Sequence, residues 1–331
     1  MNTKSYKALV VREKNGGFSK GIEQVPLDFL PENEVLVKVQ YAALNYKDAL
    51  SGSGHKGITR KYPHTPGVDA SGVVVNDSTG QYDPGQAVIC TSYDLGMNTK
   101  GAFAEYISVP AEWLVRLPEG MSAEESMVLG TAAYTAGLAL YKMEMCGQDP
   151  SMGPIVVTGA TGGVGSMAVS LLHKAGYEVW ASTGKKDEHK YLEQLGATKV
   201  IGREEVNEAN SRPIFRSEWA GAIDNVGGQT LTTLLRKCGR NGSVASIGLV
   251  DRAEFNMTIY PFILNGVNLL GVDSAETPRK LRELVWQKIS KNWLPAFSEE
   301  SYTVVDLEAI PAFMDEMLEG KTKGRILAKL F

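Results

Sequence analysis

Residues 155–166 read IVVTGATGGVGS, and this stretch decides the fold of the chain. The apolar residues at its start predict a buried strand, and the glycines that follow predict a tight turn. A helix is predicted from Gly163 to Lys174, because apolar side chains recur there at helical spacing. Its apolar face consists of Val164, Met167, Leu171, Leu172 and Ala175. A strand, a glycine-rich turn and a helix in this order are typical of a dinucleotide-binding unit.

The glycines of the turn suit contact with a pyrophosphate. Gly162 and Gly163 lack a Cβ and let the backbone approach the ligand, and Gly165 lets the helix pack closely on the sheet. The first N–H groups of the helix point toward the negative charge. We therefore predict cofactor contacts at Thr161, Gly162, Gly163 and Val164; the alternative is a tight turn that holds no ligand.

The end of the next strand indicates which dinucleotide is bound. NAD-binding units usually place an acid there to hold the ribose hydroxyls, about 20 residues beyond the glycines. This chain has hydroxyl and ammonium groups instead, which complement a 2′-phosphate. The predicted contacts, and with them a preference for NADPH, fall on Ser182, Thr183, Gly184 and Lys185.

Arg203, just after the strand KVIG, is a second candidate for the 2′-phosphate. Two alternatives stay open at this point. The lysines after Gly184 open an ordinary solvated helix whose charge Asp187 and Glu188 partly offset, or Arg203 is a surface residue with no ligand.

Outward from the turn, strands and helices alternate. Ser122 and Glu125 form a capping box ahead of a long helical stretch, so a second domain begins near residue 120. The later strand segments read YEVWAST, KVIG, GAIDNVGG, GSVASIGL and NLLGVDS. This alternation predicts an α/β domain with a doubly wound parallel sheet, the Rossmann architecture, over residues 122–299.

The first third of the chain is predicted to be mostly β. In EVLVKVQYAALN, Val35, Val37 and Val39 alternate with polar residues, as in a half-buried strand. The last 30 residues predict a strand, a helix and a strand that return to this first domain. We therefore expect a discontinuous domain of residues 1–121 and 300–331.

The composition of the chain indicates which classes of partner it is expected to bind. The chain has 331 residues, a net charge of -4 and no clustered basic segment, which argues against nucleic-acid binding and favours a small-molecule partner. Three dispersed cysteines suit a reducing compartment, so we expect a cytoplasmic protein. No apolar run reaches the roughly 18 residues of a spanning helix, so no membrane partner is expected.

With these residues in place, the chain resembles the medium-chain dehydrogenase/reductase superfamily and, within it, the YhdH-like quinone oxidoreductase and acrylyl-CoA reductase group. The likeness covers nearly the whole length and implies a GroES-like catalytic domain beside the Rossmann domain. It rests, besides the turn, on ALNYKDAL at 43–50, YPHTPGVDASGVV at 62–74, DPGQAVI at 83–89, GAFAEY at 101–106 and GTAAYTAGLAL at 130–140.

The zinc-dependent members of this superfamily carry a catalytic cysteine, a Gly-His-Glu segment and four clustered structural cysteines. Here the corresponding segments are Asn45–Asp48 and Pro66–Asp69, and no cysteine cluster exists. A structural zinc site needs four ligands and a catalytic site three, so no metal is predicted. The histidines are interpreted as surface or packing residues: His55, His64, His173 and His189.

The resemblance implies hydride transfer from NADPH to the β-carbon of an activated double bond, best matched by reduction of acrylyl-CoA to propionyl-CoA. It places Tyr46 in the cleft as the candidate catalytic residue and Asn45 at the nicotinamide end of the cofactor. Leu249 and Ser274 follow predicted strands and are expected on the nicotinamide side.

Two other functions stay open: an NADPH quinone oxidoreductase and a non-catalytic NADPH-binding protein. The NLLGVDS strand near the sheet edge suggests a homodimer like those of the superfamily.

Overall fold

In the computed structural model, which describes residues 4–210, 212–295 and 301–331, the chain forms fifteen β-strands and eight α-helices. The strands are β1 (Ser5–Lys14), β2 (Gly17–Pro26), β3 (Val35–Ala43), β4 (Asp69–Asp77), β5 (Ala87–Thr91), β6 (Tyr106–Val109), β7 (Leu114–Arg116), β8 (Ile155–Val157), β9 (Val179–Ser182), β10 (Lys199–Ile201), β11 (Trp219–Asp224), β12 (Cys238–Ser246), β13 (Asn268–Gly271), β14 (Tyr302–Asp306) and β15 (Arg325–Lys329). The helices are α1 (Tyr46–Gly52), α2 (Ala123–Met145), α3 (Gly163–Lys174), α4 (His189–Gln194), α5 (Gly228–Lys237), α6 (Tyr260–Asn265), α7 (Arg279–Lys288) and α8 (Ile310–Leu318).

The described residues divide into two compact units. The first takes its residues from Met1–Thr131, Ala275–Glu283 and Phe297–Phe331, and the second from Ala132–Ser274 and Leu284–Ala296. The division falls within α2. The domain bounds expected from the sequence, 1–121 with 300–331 and 122–299, stay a prediction about which parts fold independently.

The second unit contains one parallel sheet in the order β10-β9-β8-β11-β12-β13. This is the strand order of a doubly wound dinucleotide-binding sheet, so the predicted architecture is confirmed. Helix α3 spans the predicted Gly163–Lys174. A core cluster of the same unit includes fully buried Val156, Ala222, Leu234 and Val244. The carboxyl ends of β8, β11 and β12 therefore lie side by side.

The first unit is built on a second, mostly antiparallel sheet in the order β14-β15-β3-β4-β5-β7, with β6 also paired to β3. Val35, Val37 and Val39 of β3 are buried, as their alternation predicted. The C-terminal strand β15 pairs antiparallel with β3. The last strand thus joins the sheet of the first unit.

Helix α2 begins at the predicted capping box. The Ser122 amide donates to Glu125 Oε2 at 2.8 Å, and the Glu125 amide donates to Ser122 Oγ at 3.1 Å. The helix is interrupted at Gly130, whose φ of 50° and ψ of -155° are not helical. No helix within the described ranges has the length and apolar character needed to cross a membrane.

His64 is a buried histidine of the first unit. It exchanges backbone hydrogen bonds with Val11, and its Nε2 lies 2.9 Å from the Gly96 carbonyl oxygen. Because that partner only accepts, Nε2 carries the proton of the neutral ring. Burial lowers the pKa of His64 to about 4. The histidine is thus a packing residue, as the sequence indicated.

This burial predicts an acid-sensitive contribution to stability. An unfolded histidine binds a proton below pH about 6.5, whereas folded His64 stays neutral until pH about 4. The free energy of unfolding therefore falls as pH drops through this window, by about 2 kcal/mol between pH 6.5 and 5. His64→Gln keeps a donor for Gly96 but does not titrate, so it should flatten this dependence in urea unfolding at pH 7 and pH 5. The control is His55→Gln, which removes an exposed histidine; equal flattening by both variants would show that burial of His64 is not the cause.

Candidate functional site

The glycine-rich turn of the second unit is tightly built. The Gly162 amide donates to the Gly159 carbonyl at 2.9 Å, and the Ala160 amide donates to the Ser182 carbonyl at 3.2 Å. A Cβ on Gly165 would lie 2.2 Å from the Gly159 oxygen, so this helix position accepts only glycine. The turn is therefore held against β9 by backbone bonds alone.

The predicted contact residues of the turn are accessible. Gly162 and Gly163 are exposed, and Thr161 and Val164 are half-buried. No side chain caps the start of α3, whose first N–H groups therefore lack a side-chain acceptor. An anion placed here would take those hydrogen bonds.

The end of β9 brings the second predicted group together. Ser182 and Thr183 are buried, and Thr183 Oγ1 accepts a hydrogen bond from the Lys185 amide at 3.1 Å. Arg203 lies directly against Gly184, because a Cβ on that glycine would meet its Nε at 2.6 Å. Arg203 and Lys185 are exposed at this point, and no described carboxylate forms an ion pair with Arg203. The arrangement joins hydroxyls and cations, with no acid among residues 182–186, and the Glu204 carboxylate lies beside the neighbouring Gly202.

Leu249 and Ser274 follow the carboxyl ends of adjacent strands. Ser246 at the end of β12 pairs with Gly271 at the end of β13, and each predicted residue comes three positions later. The Leu249 side chain is 64% exposed, whereas Ser274 is half-buried and its Oγ accepts from the Thr135 hydroxyl at 2.8 Å. Both therefore sit at the same edge of the sheet as the glycine-rich turn.

In the first unit, Asp69 is the centre of a buried polar cluster. Its side chain accepts hydrogen bonds from the Thr131 amide at 2.8 Å, the Thr131 hydroxyl at 2.5 Å and Asn45 Nδ2 at 2.9 Å. Arg325 forms an ion pair with it at 3.8 Å and donates to the Val128 carbonyl at 3.1 Å. Burial lowers the pKa of Arg325, and the neighbouring carboxylates oppose this shift.

The interruption of α2 at Gly130 serves this cluster. A Cβ at Gly130 would lie 2.5 Å from Asp69 Oδ2 and 2.9 Å from the Arg325 guanidinium. The break frees the Thr131 N–H, which Asp69 then accepts as an N-cap would. Thr131, the last residue of this segment of the first unit, is thus held by the carboxylate of Asp69.

Asp48 is a second buried carboxylate of this region. It accepts from the Asn45 amide at 2.8 Å and from the Gly67 and Val68 amides at 3.1 and 3.0 Å. Burial raises the pKa of Asp48 to about 7, although these three hydrogen bonds favour its charged form. Asp48 therefore ties the start of α1 to the segment that leads into β4.

Asn45 and Tyr46 differ in whether their side chains already form hydrogen bonds within the protein. Asn45 Nδ2 donates to Asp69 and to the Ala43 carbonyl, and its Oδ1 accepts from Arg325 at 3.3 Å. Its contact with a nicotinamide stays a prediction. Tyr46 is 58% exposed at the first position of α1, and its hydroxyl makes no hydrogen bond among the described residues. Tyr46 can therefore donate to a ligand at no cost to the fold.

Sequence reasoning did not identify four residues of the Asp69 cluster and its surroundings. Asp69 and Asp48 lie within motifs quoted above, but the pattern of residues around them did not indicate that these two side chains are buried. Thr131 and Arg325 carried no local signal. Within the described ranges, no three His, Cys, Asp or Glu side chains lie close enough together to hold a metal ion.

Two family models match the chain. Residues 31–119 match the model described as alcohol dehydrogenase GroES-like domain, and residues 163–291 match the model described as zinc-binding dehydrogenase. The first model lies within the first unit, and the second begins at Gly163 in the glycine-rich turn and covers the strands β9 to β13 of the parallel sheet. The predicted combination of a GroES-like domain with a Rossmann domain is thus confirmed.

Several known proteins are similar along nearly the whole chain. YhfP of Bacillus subtilis, named as a quinone oxidoreductase, is 42% identical over 98% of this chain and 99% of its own length. The acrylyl-CoA reductase AcuI of Ruegeria pomeroyi is 40% identical over 97% of this chain and 98% of its own.

Solved structures agree with these similarities. The yhdH oxidoreductase from Salmonella enterica, in complex with NADP, has a TM-score of 0.93 and 39% identity over 98% of this chain and 100% of its own. The structure of Bacillus subtilis YhfP has NAD bound, with a TM-score of 0.96 and 42% identity over 99% and 100% of the two chains. One relative therefore holds NADP and another NAD.

Proposed function

The chain belongs to the YhdH-like group of the medium-chain dehydrogenase/reductase family of oxidoreductases, and from that premise we propose that it uses NADPH to reduce an activated carbon–carbon double bond. The observation that carries the proposal is the group at the end of β9. Arg203 and Lys185 stand there beside two hydroxyls, with no acid at the strand end. We infer that this group holds the 2′-phosphate that distinguishes NADPH from NADH.

The rest of the cofactor follows the parallel sheet. The exposed backbone of Gly162 and Gly163 receives the pyrophosphate, with Thr161 and Val164 beside it. The loops that carry Leu249 and Ser274 offer backbone groups to the nicotinamide. NADP in the similar Salmonella enterica structure supports this choice, and NAD in the YhfP structure makes a direct comparison of the two cofactors necessary.

We propose an enoyl thioester as substrate, with acrylyl-CoA as the best match and propionyl-CoA as its product. The similarity to AcuI supports this choice. The similarity to YhfP favours a small quinone as the alternative. Both substrates place a carbonyl in conjugation with the double bond that accepts the hydride. In both reactions negative charge therefore develops on a carbonyl oxygen, and the site must stabilise it.

NADPH, when bound, supplies the hydride that adds to the β-carbon. The electron pair of the double bond then moves toward the carbonyl oxygen, which needs a hydrogen-bond donor. We assign this donor to the exposed Tyr46 hydroxyl. The same hydroxyl, or water, returns a proton to the α-carbon and completes the reduction. Asn45 and Asp48 act beneath it by fixing the first turn of α1.

The proposed setting is the cytoplasm. Cys90 and Cys238 are buried, and burial raises the pKa of each thiol to about 12, so neither forms a thiolate at neutral pH. Cys146 is exposed. Thiols that are kept free in this way suit a reducing compartment.

We further propose a homodimer through the edge of the second unit. Strand β13 ends the parallel sheet, and the chain around it exposes large apolar side chains. These are Leu249, Val250, Phe255, Ile259, Tyr260, Ile263, Leu264 and Leu269. A second copy would cover them and pair with the open strand edge.

Removing the Arg203 guanidinium should impair use of NADPH selectively. A charge-assisted hydrogen bond contributes enough that Arg203→Ala should raise the KM for NADPH roughly 10- to 100-fold while changing the KM for NADH less than about twofold. Steady-state kinetics with both cofactors measure this. The control is Arg216→Ala, an exposed arginine that precedes β11 at the opposite edge of the sheet. An equal loss with both cofactors would refute the phosphate assignment.

The reaction itself is tested by following NADPH oxidation with acrylyl-CoA and with a small quinone, before and after treatment with a chelator. We expect chelator-resistant reduction of acrylyl-CoA, faster with NADPH than with NADH. Turnover of the quinone alone would move the assignment to a quinone oxidoreductase. Binding of NADPH without turnover of either substrate would identify a binding protein.

In the same assay Tyr46→Phe should lower kcat roughly 100-fold, because the donor to the carbonyl oxygen is lost, and should leave NADPH binding unchanged. Tyr141→Phe removes a hydroxyl from α2, outside the proposed cofactor site and dimer face, and should have no effect. Full activity of Tyr46→Phe would exclude Tyr46 from the chemistry.

The homodimer is tested by light scattering coupled to gel filtration. Two charges in the middle of the apolar face, in the variant Ile263→Lys/Leu264→Lys, should convert a dimer to a folded monomer because a buried charge is costly. Val304→Lys changes an exposed apolar residue of the first unit and should stay dimeric. A monomeric wild-type protein would contradict the proposal.

A further inference from the structure

We propose that Asp224, acting through Thr158 and Asn225, is a positioning residue that fixes the spacing between the phosphate end and the nicotinamide end of the cofactor site. The inference rests on the NADPH site proposed above. It concerns three loops at the carboxyl edge of the parallel sheet: the glycine-rich turn after β8, the turn 224–228 after β11 and the loop 247–251 after β12.

Asp224 is fully buried at the last position of β11. Its Oδ1 accepts from the Thr158 hydroxyl at 2.6 Å and from the Val226 amide at 3.1 Å, and its Oδ2 accepts from the Gly227 amide at 2.9 Å. Burial raises the pKa of Asp224, and these three donors oppose the shift. Both carboxylate oxygens are therefore used: Oδ1 bonds to Thr158 and to its own turn, and Oδ2 bonds to its own turn alone.

Asn225 completes the link to the glycine-rich turn. Its amide donates to Thr158 Oγ1 at 2.9 Å, and its Nδ2 donates to the Thr158 carbonyl at 2.8 Å. The next residue, Gly159, has a φ of 57°, and a Cβ there would lie 3.4 Å from the Asn225 Cβ. The phosphate-binding turn thus begins on a residue whose hydroxyl and carbonyl are both held by the turn after β11.

The same short segment holds the loop on the nicotinamide side. The Asp224 carbonyl accepts from the Ile247 and Gly248 amides at 2.9 and 3.2 Å. The Val226 carbonyl accepts from the Val250 and Asp251 amides at 3.1 and 2.9 Å. Leu249 lies between these bonded residues. Residues 224–226 therefore bond to both loops, and a shift of this segment moves both.

Few other side chains could form the hydrogen bonds that Asp224 and Thr158 make here. Asp224 accepts hydrogen bonds from three donors. Asparagine at this position would place its own NH2 group against one of those donors and leave a buried donor unpaired. The Thr158 hydroxyl donates to Asp224 and accepts from Asn225, which serine can also do and valine cannot. Thr158→Ser and Thr158→Val therefore separate the hydroxyl from the shape of the side chain.

The experiment compares binding of whole NADPH with binding of adenosine 2′,5′-bisphosphate, a probe that carries the 2′-phosphate end but no nicotinamide. In fluorescence and calorimetric titrations, Thr158→Val and Asp224→Asn should weaken NADPH binding about tenfold and leave the probe within about twofold of wild type. They should also lower kcat at saturating NADPH. Thr158→Ser should restore both values.

The matched control is Thr198→Val. Thr198 donates its hydroxyl to the Val179 carbonyl at 2.9 Å at the opposite, amino-terminal edge of the same sheet. Its variant loses one hydroxyl from this unit without touching the three loops and should bind NADPH as wild type does. Thermal unfolding of every variant confirms that the binding comparison is made on folded protein.

The proposal is overturned if Thr158→Val binds NADPH and turns over like wild type, if Thr158→Ser is as impaired as Thr158→Val, or if the probe weakens in parallel with NADPH. Failure of the proposed reaction gives a different result: wild type binds NADPH without reducing acrylyl-CoA or quinone. The comparison of NADPH binding with probe binding then still tests whether Asp224 positions the cofactor. Wild-type protein that binds no dinucleotide overturns both.

Discussion

The buried carboxylate of Asp69 joins three elements of the first unit that are far apart in the sequence. It accepts hydrogen bonds from Asn45 at the start of α1 and from Thr131 at the break in α2, and it pairs with Arg325 at the start of β15. Removing one partner of a buried ion pair costs roughly 3–5 kcal/mol, because the other charge is left uncompensated. The three elements are therefore fixed together, and the exposed Tyr46 sits on a first helical turn that cannot shift independently of them.

The second unit uses the same device at a different place. Asp224 is buried at a strand end, and its oxygens accept hydrogen bonds from backbone amides and a hydroxyl, as those of Asp69 do. A carboxylate is suited to this because each oxygen accepts more than one hydrogen bond, so a single side chain can hold donors from two loops. Loops are otherwise the mobile parts of a sheet protein. In this chain the loops proposed to bind cofactor are tied to a residue that is fully buried.

The sequence predicted those features that depend on nearby residues. The strand, turn and helix around Gly162 were placed correctly because glycine spacing and the apolar face are local signals. The capping box at Ser122 was found for the same reason. The break at Gly130 was not, because the apolar pattern continues through it and only the distant Asp69–Arg325 pair explains it. The link from Thr158 to Asp224 spans 66 residues and has no periodic signature, so it emerges only from the folded sheet.

The distribution of charge in the described residues bears on the chemistry. The carboxylates of Asp48, Asp69 and Asp224 are buried and bonded to donors that belong to the protein. Arg203 and Lys185, in contrast, are exposed. These three carboxylates are thus committed to the fold, while the cations of Arg203 and Lys185 and the first N–H groups of α3 stay available at the carboxyl edge of the parallel sheet. Such groups complement a phosphorylated dinucleotide, and the proposed reaction needs a proton donor other than these three carboxylates. The exposed hydroxyl of Tyr46, the donor proposed above, takes part in neither buried network.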